Sequence, residues 1–161
     1  MTERVRDEDV SIRSGTVDDV AELISFVAEY CEIEGRAFDH DSTRRALVPL
    51  LTDDRHGSVW IIEYGGAPAG YACVTWGYSL EAGGPEALFD ELYVRRRSVG
   101  IGTTGMALVL DEVRRLGFTR VFLETEAQNS RGRRIYERLG FVTEDSVWMS
   151  LDWRPSEPQS S

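Results

Sequence analysis

A chain of 161 residues with 42% hydrophobic content is sized for one domain with its own core. Its net charge of −10 argues against a nucleic-acid partner, because such binding draws most of its affinity from basic side chains on phosphates. No apolar run approaches the roughly 18 residues of a membrane span. All 18 basic residues are Arg, so a P-loop G-K-[ST] and Schiff-base lysine chemistry are excluded.

The charge is unevenly spread. Residues 95–138 carry 10 Arg against 5 carboxylates, whereas residues 1–94 carry 7 Arg against 19. A basic segment within an acidic chain suits a phosphate-bearing ligand there and a cationic second substrate elsewhere. The charged stretch Met1–Asp9 has none of the form of a signal peptide, and cytoplasmic residence is expected. Cys31 and Cys73 read as buried small hydrophobes, and His40 and His56 lack partners at metal-ligand spacing, so no metal is expected.

In chain order, Ser11-Ile12-Arg13 is a short strand. Thr16 and Asp19 then form a capping-box-like helix start, and Val20, Leu23, Ile24, Val27 and Cys31 recur at helical spacing until Gly35. A second helix is predicted from about Ser42 to Leu51, capped by Asp41 or Ser42 and strained by Pro49. The period then changes. Residues 58–64 and 70–76 read as an antiparallel hairpin about Gly65-Gly66, and a turn at Ala82–Pro85 leads to a third meandering strand, Glu86 to Val94. A helix over Gly102–Leu116 stops at Gly117, and Arg120–Glu124 is a strand expected to run parallel to Leu88–Val94. Asn129 or Ser130 caps a last helix through Leu139, Asp145–Trp153 alternates as a closing strand, and residues 154–161 read as a disordered tail. The expected class is α/β (α+β): a single domain, residues 1–153, in the order β-α-α-β-β-β-α-β-α-β, about a mixed, mostly antiparallel central sheet.

The segment Arg97-Ser98-Val99-Gly100-Ile101-Gly102-Thr103-Thr104-Gly105 lies between a strand and a helix, where glycines admit a ligand to the backbone and unpaired N–H groups face an anion. Gly100 to Gly105 matches the dinucleotide fingerprint G-x-G-x-x-G, with Glu124 placed as the ribose acid. A dinucleotide fold, however, runs its strand directly into the first glycine and opens a long series of β-α units. Here Arg95–Val99 intervenes, and the segment follows helices and a meander.

Read instead as Arg97-x-x-Gly100-x-Gly102, the loop resembles the pyrophosphate loop of the GNAT superfamily of acetyl-CoA-dependent N-acetyltransferases. The resemblance extends from Ser11 to Trp153. Leu88–Val94 looks like the family's fourth strand, and Asn129 with Arg134-Ile135-Tyr136-Glu137-Arg138-Leu139-Gly140-Phe141 looks like its final helix. Two positions depart from the pattern: Ser98 stands where Gly is common, and Arg95-Arg96 where Pro often occurs.

The resemblance implies transfer of an acetyl group from acetyl-CoA to a primary amine by direct attack, within an acyl-CoA N-acyltransferase fold. Backbone N–H groups from Arg97, Ser98, Val99, Gly100, Ile101, Gly102 and Thr103 would hold the pyrophosphate. Leu92, Tyr93 and Val94 would pair with the pantetheine arm at a bulge where the fourth and fifth strands splay apart. Tyr136 occupies the family's general-acid position, although a core aromatic explains the same pattern. Asn129 is either a pantetheine contact or a plain helix cap.

For a base, Glu91 lies just upstream of the splay, with Asp90 on the opposite face by alternation and Glu124 on the neighbouring strand. The acidic surroundings point to a cationic amine acceptor, with Tyr30, Glu32, Glu34, Phe38, His40, Trp76 and Tyr78 as candidate lining. A non-catalytic acyl-CoA-binding or partner-binding domain on the same scaffold is the alternative, and a homodimer is compatible with the sequence.

Overall fold

The protein is described here from a computed structural model, over residues 6–97 and 99–155. The elements follow the predicted order as far as the last helix: β1 Val10–Ser14, α1 Val20–Glu34, α2 His40–Thr52, β2 Gly57–Tyr64, β3 Ala67–Ser79, β4 Gly84–Val94, α3 Ile101–Arg115, β5 Arg120–Phe122 and α4 Ser130–Arg138. The five strands form one sheet in the order β1-β2-β3-β4-β5, antiparallel except for β4 with β5. Among the described residues, no helix is long and apolar enough to cross a membrane.

Local chemistry sets the boundaries. Thr16 and Asp19 form the expected capping box, and the Asp19 carboxylate also accepts from the Arg13 guanidinium at 2.8 Å. The cap of α2 lies further upstream than predicted: Asp39, not Asp41 or Ser42, accepts from the Ser42 N–H. Pro49 lies inside α2, where it has no N–H to offer the carbonyl one turn before it, and the helix ends within the next turn. Gly65 and Gly66, with φ of 60° and 80°, supply the two left-handed residues that a tight β2–β3 hairpin requires.

The sheet separates two cores. Against α1 and α2, Leu23, Ile24 and Phe26 pack on Val59, Ile61, Tyr71, Cys73 and Tyr93. Against α3, Ile101, Met106, Val109 and Val113 pack on Trp60, Ile62, Ala72, Val74, Ala87 and Phe89. A Cβ on Gly105 would lie 2.9 Å from the Ile62 side chain, so this glycine brings α3 close to the sheet.

The predicted closing strand is not formed. Residues 145–153 carry no strand pairing, and Val147, Met149, Leu151 and Trp153 are all exposed. The alternation read from the sequence is present, but β5 ends at Phe122 rather than Glu124 and offers only a three-residue edge to pair with. Of the tail predicted for residues 154–161, Arg154 and Pro155 are exposed, and the rest lies outside the described residues.

Candidate active site

β4 and β5 begin together and then part. Their parallel register covers only Glu86↔Arg120, Ala87↔Val121 and Leu88↔Phe122. The parallel pairing expected with Leu88–Val94 reaches only Leu88; beyond it, in the splay that the resemblance implies, residues 89–94 run beside β3 on one side and, among the described residues, have no strand on the other. A bulge lies at the point of departure, where the register passes from Cys73↔Glu91 to Val74↔Phe89 and leaves Asp90 as the extra residue. This corrects the simple alternation expected there, because a bulge restarts the face count. Phe89, Leu92 and Val94 consequently pack toward α3, while Tyr93 packs toward α1.

Glu91 is held by a hydrogen bond on one side and faced by an arginine on the other. Its Oε2 accepts from the Tyr71 hydroxyl at 2.5 Å, and its Oε1 lies 3.6 Å from the Arg36 guanidinium. Tyr71 is almost wholly buried, and desolvation first, then the Glu91 charge, push its phenol well above the usual range. It therefore stays protonated and keeps donating.

Around this carboxylate, Tyr30 stacks on Tyr93 at 5.8 Å and lies under the Arg36 guanidinium at 5.1 Å. Tyr136 sits half-buried on α4, edge-on to Phe141 at 6.1 Å. Burial, reinforced by the Glu34 charge, raises its phenol, so that it is a proton donor throughout the neutral range. Among the described residues its hydroxyl has no hydrogen-bond partner, while Leu139 and Phe141 join it at the margin of the α3-side core.

The glycine loop turns the chain directly into the start of α3. Gly100 takes φ of 105°, a left-handed conformation costly for other residues, and a Cβ there would meet nothing within 4 Å. The first helical hydrogen bond of α3 runs from the Thr104 N–H to the Gly100 carbonyl, and the N–H groups of Ile101, Gly102 and Thr103 before it have no partner among the described residues. Arg97 is exposed, Val99 is partly covered, and Ser98 lies outside the described residues.

The two arginines before the loop's Arg97 have other duties. Arg95 donates to Glu29 and Glu22 of α1 and lies 4.4 Å over Phe26, and Arg96 lies over Tyr64 at 5.6 Å. Glu29 also accepts from the Tyr93 hydroxyl at 2.7 Å, and Arg95 holds its carboxyl below the usual range. The departure from the family's Pro at this point thus ties the loop to α1.

Asn129 is a helix cap. Its Oδ1 accepts from the Gly132 N–H at 3.0 Å and its amide donates to Thr125. Glu124 lies beyond the end of β5, beside a wide cleft of about 1580 Å³ that opens between β5, α4 and residues 142–149. Of the candidate acceptor lining, Tyr30 joins Glu91; Glu32, Glu34, Phe38, His40 and Tyr78 are exposed. Trp76 stacks on Phe118 at 4.3 Å, in the cluster on the α3 side of the sheet.

Sequence reasoning missed Tyr71 and Arg36. Tyr71 becomes legible only with the β3–β4 register, whereas Arg36 is marked by its place directly after the helix-ending Gly35.

A family model described as acetyltransferase (GNAT) family matches residues 23–141. No curated protein matches the chain. Among solved structures, an integron cassette protein from the mobile metagenome of Cole Harbour salt marsh is 28% identical over 93% of each chain, with a TM-score of 0.80. A predicted acetyltransferase from Clostridium acetobutylicum, solved with acetyl-CoA, is 18% identical over 89% of this chain and 96% of its own, with a TM-score of 0.72. An aminoglycoside acetyltransferase from an uncultured soil metagenomic sample, solved in complex with sisomicin, is 15% identical over 91% of this chain and 99% of its own, with a TM-score of 0.70.

Proposed function

Since the chain belongs to the acetyltransferase (GNAT) family and is an acyltransferase enzyme, we propose that it moves the acetyl group of acetyl-CoA directly onto a primary amine of a cationic acceptor. The observation that carries this reading is the open side of β4 from residue 89 to 94, which holds Glu91 and leads to the N–H groups at the start of α3 that have no partner among the described residues.

The residues fit the ligand in kind. Leu92, Tyr93 and Val94 offer backbone groups to the pantetheine amides along that open side, as a strand would. Arg97, Val99, Gly100, Ile101, Gly102 and Thr103 offer the helix start to the pyrophosphate, with Ser98 carried along by the motif. Asn129 keeps α4 in place by capping it, which is the weaker of its two expected roles.

Glu91 takes the proton from the acceptor ammonium, directly or through water, and Tyr136 gives one to the departing thiolate. Freed of one proton by Glu91, the neutral amine bonds to the acetyl carbon as the carbon–sulfur bond breaks; Tyr136 protonates the thiolate, the second proton shed by the nitrogen returns through water to Tyr136, and Glu91 releases its proton to solvent. A backbone N–H of the open β4 segment polarises the thioester carbonyl. The same chemistry is compatible with a cytoplasmic monomer or homodimer.

The deciding experiment is a panel of amines offered with acetyl-CoA, with free CoA thiol monitored. We expect thiol release that depends on a cationic amine. Tight acetyl-CoA binding without turnover across the panel would replace the enzyme reading with a binding one. Glu91→Gln should abolish the acidic limb of the pH–rate profile; its retention would remove Glu91 as the base.

A further inference from the structure

Arg36 stands where a substrate cation would be expected. Gly35, with φ of 66°, ends α1 and turns the chain back, and the Arg36 N–H bonds to the Cys31 carbonyl at 2.9 Å. Its guanidinium is thereby placed over the Tyr30 ring at 5.1 Å and beside Glu91 Oε1 at 3.6 Å.

The seat and its occupant differ in how firmly they are held. Tyr30 is braced by Tyr93, and Glu91 by the buried Tyr71 hydroxyl. Arg36 belongs to the connection between α1 and α2, its side chain is 51% exposed, and its approach to Glu91 is too long for a hydrogen bond. An aromatic face with an adjacent carboxylate is the arrangement that binds an organic cation. Here a rigid seat of that kind is filled by a loosely tethered cation of the chain itself.

We propose that Arg36 is a displaceable internal occupant of the acceptor subsite, and that the acceptor carries a cationic group, ammonium or guanidinium, that takes its place between Tyr30 and Glu91. This rests on the reading that Glu91 borders the acceptor amine. Arg36 would then set specificity: besides the amine that reacts, an acceptor must bring a second cation that fits the seat better than a half-exposed arginine does, and an amine without one gains nothing by displacing it. No covalent step is involved, only exchange of one cation for another.

The test compares wild type with Arg36→Gln, which keeps a polar side chain at an exposed position, using agmatine as an acceptor with a second cationic group and β-alanine as one with a carboxylate. With Arg36→Gln, the KM for agmatine should fall about three- to tenfold, the scale of one exposed cation–π contact plus one exposed ion pair. The KM for β-alanine should not fall, and that for acetyl-CoA should not move.

A second readout is independent of turnover. Methylguanidinium, titrated into each protein in the presence of CoA and followed by tyrosine fluorescence against a sodium chloride control, should bind Arg36→Gln at least three times more tightly than wild type. If neither protein acetylates any amine, the enzymatic reading fails, while this titration still decides the seat. Equal or weaker methylguanidinium binding by Arg36→Gln would overturn the proposal. So would a raised KM for β-alanine with agmatine unaffected, which would make Arg36 a receptor for a carboxylate.

Discussion

The molecule before Val113 and the molecule after it are packed differently. Every buried hydrophobic residue, from Val10 to Val113, belongs to one of the two clusters on the sheet or to the helices that cover it. From Arg114 to Pro155 none of the described residues is buried, although Val121, Phe122, Leu123, Ile135, Leu139 and Phe141 lie there. The first region supplies the open β4 segment, Glu91 and the start of α3. The second supplies Tyr136 and most of the lining of the cleft beside β5. Burial of apolar surface is what offsets the entropy of ordering a chain, so the first region orders itself and the second depends more on what binds beside it.

Core deletions break this comparison most sharply. Leu23 is fully buried between α1 and the sheet, and Leu23→Ala should cost about 3 kcal/mol of unfolding free energy. Trp148, larger but 63% exposed and stacked only on Phe122 at 5.8 Å, should cost less than about 0.5 kcal/mol as Trp148→Ala. Denaturant titration of the two variants measures both. Comparable losses would mean that residues 145–153 are docked after all.

Next in size is Tyr136→Phe. The hydroxyl has no protein partner among the described residues and the ring packs only at the margin of a core, so unfolding free energy should change by less than about 0.5 kcal/mol. Turnover should nevertheless fall by about 100-fold, the lower end of what a positioned acid contributes, with acetyl-CoA affinity unaltered. Unchanged turnover would leave Tyr136 as packing alone.

A smaller effect concerns the ligand. Acetyl-CoA at ten times its Kd should raise unfolding free energy by about 1.4 kcal/mol through mass action. Its local effect should fall on the second region: hydrogen exchange of residues 116–141 should slow, while amides of β2 and β3 should be protected with or without ligand. Uniform slowing across the chain would erase the distinction between the two regions.

The same division separates what the sequence made legible from what it did not. The Gly65-Gly66 turn, the Thr16/Asp19 box, the Asn129 cap and the stop at Gly35 are local devices, each complete within a few residues, and each forms. Pairing is not local. The alternation of Val147, Met149, Leu151 and Trp153 is a property of one strand, but a ladder needs an edge, and β5 is too short to provide it. At the site, Glu91 could be singled out from its place before the splay. Its Tyr71 partner required the β3–β4 register, which no local pattern announces, while the resemblance implied a bulge near the splay but not its place at Asp90. Arg95 likewise read as part of a basic approach to the loop until its contacts with Glu22 and Glu29 gave it a structural role.

The smallest effect tests whether the first region owes anything to charge as well as burial. Asp19 accepts from Arg13 and from the Thr16 N–H, and these bonds, Arg13 foremost, lower its carboxyl to about 2. A depressed carboxylate stabilises the fold above its unfolded value, near 4, and loses that contribution as pH falls through about 2. The full shift corresponds to about 2 kcal/mol, but the Arg13 side chain is 40% exposed and screened by solvent, so Asp19→Asn should cost about 1 kcal/mol at neutral pH. The gap between variant and wild type should close as pH is lowered from 4 toward 2, measured by denaturant titration at each pH. A gap that persists undiminished at low pH would assign the loss to the capping geometry and not to the charge of Asp19.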